Sequence, residues 1–217
     1  MSSFIVVVLS AMIISSLGGT ILNKTIVKYP KVAAYQPVIN GVAGNLVSVN
    51  ASRISTKLHQ EEKISSQQGS TNSRLHRISS SEYSDVQSST LKHTKDKDTS
   101  RNIRLLLWSL VVPGHLVFNL FLHIFTSDYE QESSSLDGQS PETNDTEILF
   151  MFLYLAAALI QVGLLLYASG PLVLGLWTRG IDPDSASIPY LTSSGDFLGG
   201  ILLSAAFHVN DMLLQKT

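Results

Sequence analysis

One carboxylate, Asp196, interrupts the last long apolar stretch of this chain, SIPYLTSSGDFLGGILLSAAFHV. The stretch is long enough to cross a bilayer and carries no Lys or Arg to neutralise the acid. A charge facing lipid at that depth costs roughly 2.5–3.5 kcal/mol on insertion scales, so an ionisable group there marks a functional site by default. Water, a polar side chain or a cation must meet it, and the chemistry expected of Asp196 is to hold a cation. Thr192 lies one helical turn before it, while Gly200, Ser204 and His208 follow at four-residue steps. A helix would set these small and polar groups on one stripe. The carboxylate also sits inside Gly195-x-x-x-Gly199, a close-packing pattern that is weak when it stands alone.

A second stretch, QPVINGVAGNLVSVNASRIST over residues 36–56, is polar for a membrane helix. Gly44, Ser48 and Ser52 recur every four residues, and Asn45, Ser48, Ser52 and Thr56 form an overlapping polar stripe. Such groups must face protein or water rather than lipid. A packing seam with buried amides and a face lining an aqueous path both satisfy that requirement.

These residues need long helices to position them. The chain has 217 residues, of which 44% are hydrophobic and only 15% charged. Apolar runs near 4–22, 32–56, 103–125, 148–177 and 188–209 are separated by strongly polar segments at 57–101 and 126–147. About 20 helical residues cover the hydrocarbon core of a bilayer. Four runs reach that length comfortably and the first is marginal, which predicts an all-α, polytopic bundle of five membrane helices. The first run could instead be a signal peptide, but it lacks a basic leader and a clean small-residue cleavage site. No cysteine is present, which excludes disulfides and thiolate metal sites.

The charges sort by loop. Segment 57–101 holds Lys57, Lys63, Arg74, Arg77, Lys92, Lys95, Lys97 and Arg101, and a basic excess marks the cytoplasmic side. Rich in Ser, Thr, Gln and Lys, it is expected to be disordered. Segment 126–147 has seven acidic and no basic residues, carries the sequon at Asn144, and reads as an external loop. Alternation then leaves the N-terminus cytoplasmic and the C-terminus external. Lys24, Lys28 and Lys31 fall on the external side and disagree with that scheme.

Several polar residues have bland readings. His115, Asn119 and His123 share a face of the third span and could offer a soft-metal site, although zinc wants more ligands. Hydrogen bonding inside the bundle, beside a kink at Pro113, explains them better. Asp182 and Asp184 suit a turn and helix start as well as cation attraction. Arg53 is expected to snorkel to the interface and Gln161 to bind neighbouring helices together. No nucleophile–base pair or cofactor motif argues for an enzyme.

Together, QPVINGVAGNLVSVNASRIST, VVPGHLVF at 111–118 and GIDPDSASIPYLTSSGDFLGG at 180–200 resemble the solute carrier family 41 magnesium transporters, eukaryotic relatives of the bacterial MgtE channel. The resemblance covers the chain apart from its two polar loops and fits the C-terminal repeat of that family, one five-helix unit. It implies transport of Mg²⁺, either through a channel or by exchange with Na⁺ as the coupling ion, and a multi-pass protein of the plasma membrane. It implies a path between two units, lined by the second and fifth spans. Asp196 would bind the ion, helped by Thr192 and by Asn45 of the Gly-Asn motif. Asn40, Gly44, Ser48 and Ser52, with Gly199, Gly200 and Ser204, would line the path. The chain has Ala43 where the family has Gly, and Asn50 where it has Gln. Because the family carries two repeats, this unit is expected to pair, as a homodimer or with a second MgtE-like repeat, or else to act as a non-transporting subunit. Lipid is its surrounding medium and no nucleic-acid partner is expected.

Mg²⁺ is a hard ion that prefers oxygen ligands and sheds water reluctantly. The carboxylate, hydroxyl and amide oxygens of Asp196, Thr192, Asn45 and Ser48 suit it. One carboxylate is thin for a divalent ion, which again favours two units around one axis.

Overall fold

The computed structural model describes residues 2–72, 100–133 and 144–215. These form α1 (Ser2–Lys28), α2 (Val32–Asn72), α3 (residues 100–109), α4 (Val111–Ser133), α5 (Asn144–Trp177) and α6 (Pro183–Leu214). No strand occurs among the described residues.

Among the described residues, four segments are long and apolar enough to cross a membrane: Ile5–Lys28, Ser100–Phe121, Ile148–Trp177 and Pro183–Leu214. α2 is too polar to qualify by composition, yet it runs the height of the bundle. Tyr35 meets Phe150 near one end, Asn50 meets Ser169 below it, and His59 meets Trp177 at the other. Phe150 to Trp177 is about 40 Å of helix at ~1.5 Å per residue, more than the hydrocarbon thickness. α2 can be polar because its neighbours shield it. Its inner stripe, Ile39, Ala43, Val47 and Ala51, is fully buried against Tyr154, Val162 and Leu165 of α5 and Leu191 and Leu203 of α6. Ala43, with its additional methyl, is therefore accommodated in the core.

α6 is the hub, packed on α1, α2 and α5. It runs parallel to α1, and the contacts stay in step: Ser10 with Tyr190, Ser15 with Asp196, Thr25 with Ser204, Lys28 with Asp211. Glycines allow this closeness. A Cβ built on Gly18 would lie 2.8 Å from the Asp196 carbonyl oxygen and the Phe197 Cα, and one on Gly200 would lie 3.1 Å from the Gly18 carbonyl oxygen.

Two sequence expectations change, and the kink expected at Pro113 takes the form of a break. Helix continues to Asn72 through residues 57–72, which were expected to be disordered, because the polar extension simply prolongs a helix already nucleated in the bundle. Residues 73–99 of that segment lie outside the described residues. The expected external loop at 126–147 narrows, since α4 runs to Ser133 and α5 begins at Asn144; residues 134–143 are likewise outside the described residues, as are the side chains of the sequon. The third span is two helices that meet at Leu110. Pro113 explains the break: it has no N–H to donate, and its ring crowds the carbonyl of residue 109.

Candidate cation site

The chain reaches the site through a tight α5–α6 turn. Gly180 takes a left-handed φ of 68° after α5, and Gly180 N and Ile181 N donate to Trp177 O and Leu176 O, each at 3.0 Å. Asp182 then caps α6, its side chain accepting from Asp184 N at 3.2 Å, with Pro183 at the first helical position. Burial tends to raise the Asp182 pKa. The Asp184 amide, the Ser185 hydroxyl and His59 outweigh it and hold the carboxyl below its ordinary value. The helix-start reading of Asp182 and Asp184 thus holds. His59 Nε2 lies 3.5 Å from Asp182 Oδ1, tying the end of α2 to the start of α6.

Two carboxylates further along α6 differ in their surroundings. Asp211 is neutralised: Lys28 Nζ lies 3.0 Å from its Oδ2 and Tyr29 donates to the same oxygen at 2.7 Å. This pairing compensates one of the lysines that disturbed the loop-charge scheme. Asp196, near the middle of the helix, receives a hydroxyl instead. Ser15 Oγ of α1 donates to its Oδ2 at 2.8 Å, and no cationic partner meets it among the described residues. Asp196 is half-buried.

The expected stripe divides between two faces of α6. Asp196, Gly200 and Ser204 look toward α1, where Ser204 Oγ is 2.7 Å from Thr25 Oγ1. Thr192 and Gly199 look toward α2. Thr192 packs on Gly44, whose Cβ would come within 3.5 Å of the threonine methyl, and the Thr192 hydroxyl is turned back to Ile188 O at 3.0 Å. Gly199 lies beneath the amides of Asn40 and Gln161, and any side chain there would collide with Asn40. Gln161 donates to Gly195 O at 2.9 Å, the helix-binding contact expected of it. Asn40 Oδ1 and Gln161 Oε1 are buried acceptors without a protein donor among the described residues.

On α2, Gly44 is buried, Ser48 and Ser52 are half-buried, and Asn45 is exposed beside Gly41. Asn45 is therefore not brought to Asp196 within this chain. Asn50, in place of the longer Gln, still spans to Ser169, donating to its Oγ at 2.7 Å. His115 is fully buried with Nδ1 2.7 Å from the Tyr154 hydroxyl, and Asn119 donates to His115 O at 2.9 Å. Both make the bundle-internal bonds expected of them; the side chain of His123 lies outside the described residues.

Ser15 escaped the sequence reading. The signal was present in Ala11, Ser15, Gly18 and Thr25, small and polar residues that share one face of an otherwise apolar helix with Leu22.

Membrane-length helices wrapped around a polar seam define a multi-pass integral membrane protein. The family description "MgtE: Divalent cation transporter" matches residues 36–206, and the chain belongs to that family of transporters, which are not enzymes. It is similar to solute carrier family 41 member 2 of Gallus gallus, 40% identical over 209 residues that cover 93% of this chain and 31% of the relative. The human member 2 is 37% identical over 209 residues, covering 93% and 31%. Member 3 of Rattus norvegicus is 38% identical over 208 residues, covering 95% and 39%. The chain thus spans about a third of the length of these curated relatives. No solved structure matches.

Proposed function

We propose that this chain forms one side of a transmembrane path for Mg²⁺ and that Asp196 is its principal ion ligand. The observation that carries the reading is the contrast on α6: Asp211 is matched by Lys28, whereas mid-helix Asp196 meets, among the described residues, a neutral hydroxyl and no cation. A carboxylate so held has no cationic side chain, among the described residues, to displace before an incoming cation can bind. Mg²⁺ retains much of its water shell and is bound through few carboxylates. Oxygens along the seam can accept from that shell. Two charges crossing 100 mV gain about 4.6 kcal/mol, ample to drive inward flow.

Pairing belongs to this reading. Pro37, Gly41 and Asn45 form an exposed stripe on α2, small or polar where lipid would favour large apolar groups. A second MgtE-type unit, from another copy or from another repeat, would cover it and supply a second carboxylate to the path. Alone, the unit is a half-path that does not transport.

Asp196→Asn tests the ion ligand. The amide keeps the shape and still accepts from Ser15, but the charge is gone. Mg²⁺ flux into proteoliposomes falls to background; flux equal to that of the parent would sink the assignment. A Na⁺ gradient imposed on the same liposomes separates mechanisms, since an exchanger responds to its direction and a channel only to the Mg²⁺ gradient and voltage.

A further inference from the structure

A groove between α3 and α5 lies apart from the polar seam and takes no part in the path proposed above. It holds about 250 Å³, and its walls include Arg101, Arg104, Leu105, Trp108, Gly163 and Tyr167. We propose that this groove is a binding site for one anionic phospholipid, its phosphate held by Arg101 and Arg104 and one acyl chain lying in the slot.

The walls are what hydrocarbon requires. Leu105 is 58% exposed, Trp108 41% and Tyr167 77%. Leu106, Leu110, Ile160 and Leu164 extend the same apolar surface outward. α2, by contrast, exposes Gly41 and Asn45, so the surface that needs a protein partner lies elsewhere. Gly163 opens the slot. A Cβ there would stand 3.4 Å from Trp108 Nε1, and without one the indole lies across α5 and donates to Leu159 O at 3.1 Å.

The cations stand at one end of this slot. Arg101, Arg104, Leu105 and Trp108 share a helix face by their spacing. The Trp108–Leu159 bond fixes the register of α3, which runs antiparallel to α5. Arg104 and Arg101 therefore fall about one and two turns nearer the Trp177 end, beside Gly163 and Tyr167. Both arginines are exposed. The guanidinium of a lipid-facing arginine extends along its stem toward the headgroup layer, where phosphate is the available anion. An apolar slot closed by two guanidiniums complements an anionic phospholipid in both halves: phosphate to the fork, chain to the slot. Tyr167 and Trp108 are amphipathic rings suited to that boundary.

The test uses the full chain in mild detergent. Trp108 and Trp177 are its two tryptophans, so Trp177→Phe leaves Trp108 as the sole reporter. Phosphatidylserine and phosphatidylcholine, each brominated on the acyl chains, are titrated as quenchers. Phosphatidylserine is expected to quench at about 30-fold lower concentration, the usual gain for two basic groups. Arg101→Gln with Arg104→Gln abolishes that preference while phosphatidylcholine still quenches. Gly163→Leu fills the slot and weakens quenching by both lipids, with thermal melting used to verify the fold. Equal quenching by the two lipids in the reporter protein overturns the proposal, and that comparison stands even if an arginine variant fails to fold. So does the absence of quenching by either lipid, which would mean that protein covers the groove, and so does a preference that survives loss of both arginines.

Discussion

Asp196 and Ser15 divide their work in a way that substitution can separate. The hydroxyl gives a hydrogen bond to a carboxylate, a class that contributes about 1.5–3 kcal/mol. Ser15→Ala should therefore lower stability by roughly that amount yet leave the charge, and measurable Mg²⁺ flux, in place. Asp196→Asn should do the reverse, with little loss of stability and no flux. Denaturant titration and liposome flux on both variants check the pair. If Ser15→Ala and Asp196→Asn lose flux and stability to the same extent, the carboxylate is a packing element and not an ion ligand. His115 and Gln161 illustrate the opposite case: both are polar, fully buried and bonded across the bundle to Tyr154 and Gly195.

Between elements, the α1–α6 contact is set by backbone touching backbone at Gly18. A methyl there would sit 2.8 Å from α6 main-chain atoms, which cannot rotate away. Gly18→Ala should destabilise by about 1–3 kcal/mol and disturb the Ser15–Asp196 bond. Gly19→Ala, with nothing within 4 Å, should be neutral or slightly stabilising through helix propensity. Melting temperatures for the two neighbours compared under one condition decide the point; equal effects would refute a specific contact. The start of α6 carries a pH signature. The folded Asp182 carboxyl titrates below its ordinary value, so its capping contribution is complete above the unfolded value near 3.8 and is lost as pH falls through the folded one. His59 and Asp184 are the titratable neighbours of this cap. Asp182→Ala should cost about 1 kcal/mol at neutral pH, and that difference from the parent should fade in acid. A gap unchanged at pH 3 would contradict the capping role.

For the molecule as a whole, the exposed stripe of α2 predicts association along that helix. Gly41 is the suitable probe, because a Cβ there meets nothing within 4 Å and the chain has no native cysteine. Gly200, although in the polar stripe of α6, is covered by Gly18 and is unsuited to the purpose. Gly41→Cys in membranes should cross-link chains through α2, while Leu120→Cys, on the apolar outer face of α4, should not. Monomeric Gly41→Cys protein that still carried Mg²⁺ would rule out pairing as a condition of transport.

The helices and their acid were legible because the bilayer constrains sequence so strongly: length, apolarity and one charge where none belongs mark the last span and Asp196 without any partner being known. The polarity of the second span also declared that it must be shielded, through Gly44, Ser48 and Ser52. Which neighbour does the shielding lies in no local pattern. Spacing set Asp196, Thr192, Gly200 and Ser204 on one polar stripe, but the tertiary structure turns Thr192 toward Gly44 and the other three toward α1, since a stripe wide enough to read in sequence is wide enough to meet two helices. Ser15 and Asp196 are 181 residues apart in the chain, and the close packing of α1 on α6, tightest at Gly18, brings them to 2.8 Å. Composition likewise assigned residues 57–72 to a disordered loop, because local polarity cannot report that the helix before them is anchored by Asn50 and His59. Sequence determined which groups could not face lipid; packing decided what each of them faces instead.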